Sequence, residues 1–436
     1  MKIAIDGFNL GFAQGTGIAT YARELSKILA ANNHEIYTCY GLNGVGQNSK
    51  VAWPRFVQNL TLQGESGRYD FAKWGCYGGR YLLKHLLRQP IQATVVPIDP
   101  KVDISAVVDR LPVAELLNIP SVFRVSQLYS LALNRPLEIS FPSDKKVDIF
   151  HATCPLPIAM RDVANVVTFH DIIPLVLPQS TEVNLSHYQR ILKLSIDNAD
   201  MIFTVSEHSR HDLISYFDVP EDKVYVTYQA VDIPAHYRGL DDDVVSLFLE
   251  RNFGLKRNEY FLFFGAVEPK KNIARIIEAM TIAKTDYPIV IVGKDGWLYD
   301  DVNRLLGQLH KRASGKRRFR RIEYVPFRQL AFLLKGACGL VFPSLYEGFG
   351  LPVLEAMLMK CPVITSNVSS LPEVGGDAVL YVNPLDVGEI AAAIDSLAYD
   401  RGLRSGLIER GLIQAEKFSP SNHLQRLEKG YQRAMG

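Results

Sequence analysis

At 436 residues, with 47% hydrophobic and 22% charged side chains, the chain is too long for one ordinary core and has the composition of a globular protein of two or three domains. A formal net charge of +2 gives no overall pull toward nucleic acid. Five scattered cysteines (Cys39, Cys76, Cys154, Cys338, Cys361) lack C-x-x-C spacing, which argues against a disulfide framework or a zinc site. Charges at Lys2 and Asp6 and the lack of a run of about 18 apolar residues argue against a signal peptide or a spanning helix, so the expected setting is the cytoplasm, with any membrane contact peripheral.

In chain order, IAID (3–6) is a short apolar strand. A loop through GTG (15–17) follows, then a helix with Ile18, Tyr21, Ala22, Leu25, Ile28 and Leu29 on one face. EIYTCY (35–40) reads as the next strand. From about 45 to 145 the pattern blurs, although Trp74, Tyr77, Tyr81, Leu82, His85 and Leu86 suggest a helix flanked by Lys73, Arg80, Lys84 and Arg88. Strand-like runs return at VDIFHAT (147–153), VANVVTFHD (163–171), ADMIFTVS (199–206) and KVYVTY (223–228). After a polar stretch they restart at YFLFFGAV (260–267), YPIVIVG (287–293), IEYVPF (322–327), GLVFPS (339–344) and CPVITS (361–366). Alternation of β-branched runs with helical segments implies parallel sheets with crossover helices, and the restart implies two α/β halves facing a cleft at the carboxyl ends of their strands.

The densest motif is PSLYEGFGLPVLEAM (343–357). Gly348 and Gly350 open backbone conformations closed to other residues, and Pro352 is preset for the first turn of a helix that continues through Val353, Leu354 and Met357. The free N–H groups and positive dipole end of such a helix favour a phosphate, so Glu347 and Glu355, which bracket the turn, must serve something other than the anion. As a bland alternative, the turn only punctuates the chain and Glu355 suits the helix dipole.

PSLYEGFGLPVLEAM followed by PVITSNVSSLPEVGGDAVLYVNP resembles the donor-binding segment of the family 4 retaining glycosyltransferases. The resemblance implies the α/β GT-B fold, two Rossmann-like doubly wound parallel-sheet domains facing a cleft. Residues 1–235 would form the acceptor-side domain and 236–417 the donor domain, with the last helix, 418–436, returning to the first. It also implies that Glu347 lies beside the donor sugar and Glu355 accepts from the ribose hydroxyls, while amides of Gly348, Phe349, Gly350 and Leu351 face sugar and diphosphate. In GAVEPKKN (265–272), Lys271 would neutralise the diphosphate; an arginine common just after that glycine in the family is replaced here by Ala266 and Val267. The loop with Gly15, Thr16 and Gly17 resembles the family's phosphate- or acceptor-approaching loop, and in TFHDIIP (168–174) His170 would reach the donor sugar and Asp171 the acceptor. Val325 in YVPF would sit where the backbone meets the base, and Lys294 in GKDGW is a further donor contact.

Two signals carry less. Asp241, Asp242 and Asp243 read as a helix start rather than a metal site, and no metal is expected. The basic run KRASGKRRFRR (311–321) reads as a solvated face or a patch for anionic lipid. The expected activity is retaining, metal-independent transfer of a hexose, mannose favoured, from a nucleotide sugar to a glycan or lipid-linked glycan, with no resident cofactor and a GDP-sugar ahead of a UDP-sugar. An epimerase or phosphorylase of the same architecture and a non-catalytic sugar-nucleotide binder are the alternatives.

Overall fold

A computed structural model of the chain describes residues 1–11, 17–43, 49–62, 89–105, 114–296 and 318–436, together with 79, 81, 83, 84, 107, 108 and 111. In chain order the first strands are β1 (Lys2–Asp6), β2 (Glu35–Tyr40), β3 (Ile91–Gln92), β4 (Thr94–Val95), β5 (Glu115–Asn118) and β6 (Leu137–Ser140). They continue with β7 (Ile149–Ala152), β8 (Ile158–Met160), β9 (Ala164–Phe169), β10 (Met201–Thr204) and β11 (Val224–Val226). After a gap of over thirty residues come β12 (Phe261–Phe264), β13 (Ile289–Val292), β14 (Phe319–Ile322), β15 (Gly339–Phe342), β16 (Val363–Ser366) and β17 (Leu380–Val382). The helices used below are α1 (Gly17–Ala31), α2 (Glu207–Phe217), α3 (Asp242–Phe253), α4 (Phe327–Gly336), α5 (Leu351–Leu358), α6 (Arg401–Glu416) and α7 (Pro420–Met435).

The strands form an eight-stranded sheet, β11-β10-β9-β7-β1-β2-β5-β4, a six-stranded sheet, β14-β13-β12-β15-β16-β17, and a small sheet, β3-β6-β8. Pairing is parallel throughout except between β4 and β5. The six-stranded sheet runs third, second, first, fourth, fifth, sixth. Its direction of winding therefore reverses between β12 and β15, which leaves a crevice at their carboxyl ends. FLFF in β12 and IVIV in β13 are buried along their whole length, as strands covered by helices on both faces must be.

The final helix belongs to the first sheet. Ser419 caps α7 by accepting from the Asn422 amide, and the helix packs on β9, β10 and α1, with Leu427 and Tyr431 in one core with Ile3, Leu25 and Phe203. A buried polar chain fixes the docking: Tyr431 Oη meets His151 Nδ1 at 2.7 Å, His151 Nε2 meets Thr168 Oγ1 at 2.7 Å, and that hydroxyl meets Tyr21 Oη at 2.9 Å. Burial moves the His151 pKa down to about 3, so its ring is neutral and can both donate and accept within this chain.

Three readings of the sequence are refined. The strand expected at IEYVPF lies one step earlier, at FRRI, because β14 is the sheet edge and an edge strand tolerates charge. In the basic run read as a solvated face, or alternatively as a lipid patch, Arg318 pairs with Asp286 at 3.1 Å, Arg320 donates to the Phe253 carbonyl and Arg321 pairs with Asp295, while 311–317 lie outside the described residues. Among its described residues the blurred stretch holds strands of two to four residues and two helices, Ser49–Leu62, which contains Pro54, and Val122–Leu133. The helix suggested around Trp74 to Leu86 falls largely outside the described residues. Asp241 is a helix cap, its carboxylate accepting from the amides of Asp243 and Val244.

Replacing Tyr431 with Phe leaves His151 Nδ1 buried without its partner, an expected cost of about 1–2 kcal/mol and a melting temperature lower by a few degrees. An unchanged melting temperature would contradict the role given to this chain in docking α7.

Candidate functional site

The reversal point of the six-stranded sheet brings two loops together. The turn after β12 carries Glu268 to Asn272, and the loop after β15 carries Pro343 to Gly350. Asn272 sits at φ 61°, in the left-handed region that asparagine tolerates, and its Nδ2 donates to the carbonyls of Pro343 at 3.0 Å and Pro384 at 2.6 Å. The Leu345 amide donates to the Lys270 carbonyl at 2.7 Å. One asparagine thus ties three segments, and the lysines before it are held over the glutamate loop.

There Lys271 Nζ lies 2.6 Å from Glu347 Oε1, with the two side chains only 13% and 9% exposed. The Lys271 ammonium also sits 4.9 Å from the centre of the Phe342 ring. Burial works to raise the Glu347 pKa, but Lys271 and Lys270 outweigh it and hold the carboxyl below the usual range, so Glu347 is ionised. Burial opposes the charge on Lys270, yet Glu347, Asp171 and Glu268 raise its pKa above the usual value. Taking a lysine–glutamate pair out of water seldom adds net stability, so its position at a loop built for an anion calls for a functional reason. Glu355 is different: it lies half-buried on α5, and burial alone moves its pKa up to about 7.

The helix α5 starts at Gly350, φ 114°, with no side-chain cap. No acceptor among the described residues meets the amides of Phe349, Gly350 and Leu351. Gly17, the first residue of α1, faces Leu351 across the cleft: a Cβ there would stand 3.6 Å from Leu351 Cδ1. Two helix N-termini from opposite halves therefore converge, the arrangement that suits a polyanion.

The halves also touch directly. A Cβ on Gly348 would run into the His170 carbonyl oxygen and come within 3.1 Å of Asp171 Cβ, so only glycine allows this approach. The Gly348 carbonyl accepts from Ser206 Oγ at 2.7 Å, and Ser209 Oγ donates to the His170 carbonyl at 3.0 Å. From the second half, Glu373 caps α2 of the first, accepting from the amides of Glu207 at 2.8 Å and His208 at 2.7 Å. Behind the loop, Ser370 Oγ lies 2.9 and 2.8 Å from the carbonyls of Glu347 and Phe349, and the Glu347 amide donates to Ser369 Oγ at 3.0 Å.

Of the residues expected at the site, Glu347, Lys271, Gly348, Phe349, Gly350, Leu351, Gly17, His170 and Asp171 gather at the cleft. His170 is placed differently from the expectation that its ring reaches the sugar. Its Nε2 donates to the Thr153 carbonyl at 2.9 Å and its Nδ1 accepts from Gln229 Nε2 at 3.0 Å, which leaves its backbone carbonyl, not its ring, at the glutamate loop. Burial lowers its pKa and keeps the ring neutral. Asp171 Oδ1 accepts from the Ile173 amide at 3.1 Å. Val325 is a core side chain, 8% exposed, and Lys294 stands 5.8 Å from the centre of the Tyr324 ring. Gly15 and Thr16 lie outside the described residues. Sequence reasoning assigned nothing to Asn272, Ser206, Ser209, Ser369, Ser370 or Glu373. The serine pair and glutamate of SSLPE stood inside the motif, but their partners lie more than twenty and more than 160 residues away.

Comparison with known proteins gives the family and the fold. The family model Glycosyl transferases group 1 matches residues 249–413 and Glycosyltransferase Family 4 matches 79–234. O-antigen chain mannosyltransferase B of Escherichia coli is 38% identical over 262 residues, 59% of this chain and 67% of the relative. O-antigen chain mannosyltransferase RfbU of Salmonella typhimurium is 30% identical over 271 residues, 62% of this chain and 69% of the relative. Among solved structures, Anabaena Alr3699/HepE in complex with UDP-glucose superposes with a TM-score of 0.65 at 15% identity, covering 98% of this chain and 99% of that one, a likeness of fold.

Substituting Gly348 with Ala places a methyl group against the His170 carbonyl and holds the halves apart. The variant is expected to fold with a near-normal melting temperature and a larger radius of gyration by small-angle scattering. A radius equal to that of the unsubstituted protein would contradict the closed contact.

Proposed function

The chain belongs to the family 4 glycosyltransferases, and on that premise we propose that it moves mannose from GDP-mannose to a hydroxyl of an O-antigen-type glycan, with retention and without a metal ion. The sugar is favoured by the two O-antigen mannosyltransferases to which the chain is 38% and 30% identical. A UDP-sugar is the next donor to test. A nucleotide-sugar substrate and a lipid-linked glycan acceptor place the work in the cytoplasm, at the inner face of the membrane, and no resident cofactor takes part.

The observation that carries the reading is the buried Lys271–Glu347 pair at a helix start with free amides. When the diphosphate docks on the amides of Phe349 to Leu351, Lys271 exchanges its carboxylate partner for a phosphate oxygen and neutralises the leaving group. Glu347, released from that bond and still ionised, faces the positive charge that builds at the anomeric carbon in an oxocarbenium-like transition state. Retention follows from attack on the face the diphosphate leaves: the acceptor oxygen bonds to carbon as the carbon–phosphate oxygen bond breaks, and the departing diphosphate takes the hydroxyl proton. Asp171 and the neighbouring Lys270 flank the side from which the acceptor comes.

Glu355 supplies a pH signature. Its carboxyl is half protonated near pH 7 in the free protein. Ribose hydroxyls donate more strongly to the carboxylate than to the neutral acid, so binding lowers its pKa and releases up to about half a proton at pH 7.

Two measurements follow. In acceptor-dependent GDP release, Glu347→Gln should lower kcat by about 100-fold or more with little change in donor KM, whereas Lys271→Ala should lower kcat and raise KM; equal, small effects from both would sink the assignment. GDP affinity should hold steady above pH 7 and weaken by up to tenfold per unit as pH falls below it, and Glu355→Gln should flatten that slope. A slope that survives the substitution would remove Glu355 from the ribose.

A further inference from the structure

At the opposite end of the six-stranded sheet from the cleft, by the amino ends of β12, β15 and β16, lies a cavity of about 240 Å³. Its walls carry Asp242 from the start of α3, Arg257 from the loop before β12, Lys335 from the end of α4, Lys360 from the turn after α5, and Arg404 from α6. Four cations and one carboxylate leave three positive charges in excess, more than the formal +2 of the whole chain.

The protein answers little of that charge. Asp242 Oδ2 takes one arm of Arg257 at 2.7 Å, while the Arg257 Nε is buried with no partner among the described residues. Arg404 donates through Nη1 to the carbonyls of Leu397 and Ala398. Lys335 Nζ reaches a single carbonyl, that of Arg238, at 3.4 Å, and no acceptor among the described residues meets the Lys360 ammonium. Burial, then the charges of Lys360 and Arg257, press the Lys335 pKa below its usual value. Helix dipoles account for each lysine singly, since both stand just at or beyond a helix C-terminus. They do not account for their convergence with the Arg257 and Arg404 side chains on one cavity.

We propose that this cavity is a second anion site, distinct from the donor cleft, which takes a phosphomonoester or diphosphate group, with room inside for at most a small, sugar-sized part of its substituent. A planar guanidinium matches two phosphate oxygens and two mobile ammonium groups complete the shell. The group belongs either to a soluble phosphorylated compound or to an anionic lipid head group. The site stands apart from the proposed transfer reaction, and its residues touch none of the groups assigned to it.

The test uses the full chain carrying Lys271→Ala, so that the cleft has lost its phosphate-facing lysine, and adds Lys335→Met and Lys360→Met, which keep the aliphatic stems. Calorimetric titration with inorganic pyrophosphate should show one site, weakened at least tenfold by the methionine pair. In the otherwise unsubstituted protein the pair should leave glycosyl transfer unchanged and the melting temperature within a few degrees, since relief of like-charge repulsion offsets the lost helix-dipole contacts. Vesicles of phosphatidylcholine with and without phosphatidic acid, a lipid phosphomonoester, separate the sources. Co-sedimentation that needs both lysines and is displaced by pyrophosphate assigns the site to lipid; pyrophosphate binding without vesicle capture assigns it to a soluble phosphate compound. Binding of neither probe, or affinities indifferent to the methionine pair, would overturn the proposal.

Discussion

The ion pair between Lys271 and Glu347 is the constraint around which the donor half is arranged. A lysine and a glutamate held 2.6 Å apart in a largely buried place need every neighbour fixed, because either charge alone there would be costly. The fixing is visible residue by residue. Asn272 anchors the lysine turn to both flanking segments, Ser369 and Ser370 grip the backbone of the glutamate loop, and the crevice between β12 and β15 delivers the two loops to one place. What results is a carboxylate kept ionised beside surplus positive charge, ready for an anion that the lysines can share.

The same loop explains why the halves close on each other where they do. Gly348 was legible in the sequence as a conformationally free residue near a helix start. In the structure its importance is steric: it lets the loop lie on the carbonyl of His170, where Ser206 and Ser209 hold it. Glu373 adds a carboxylate from one half to the helix N-terminus of the other. Closure thus combines backbone and hydroxyl contacts with an apolar patch, in which Tyr228 meets Phe349 and Val205 joins the core of the second half.

Much of the fold could be read from the chain because the central strands are short, buried, largely apolar runs and the site motifs follow them directly. What stayed hidden has physical reasons. The FRRI strand is charged because it lies at a sheet edge, and the stretch before Ile149 has strands too short to show a period. His170 looked like a ligand by its place at a strand end, yet its ring is taken up by Thr153 and Gln229, a pairing across nearly sixty residues that no local pattern reveals. Nor does any motif announce the basic cavity, whose four cations come from four separate segments that meet only on folding.

The most direct test of the account is the structure of the protein with GDP bound. It predicts that the diphosphate lies on the amides of Phe349 to Leu351, with Lys271 Nζ moved from Glu347 to a phosphate oxygen and Glu355 facing the ribose. A nucleotide bound elsewhere, with the Lys271–Glu347 contact intact, would contradict it.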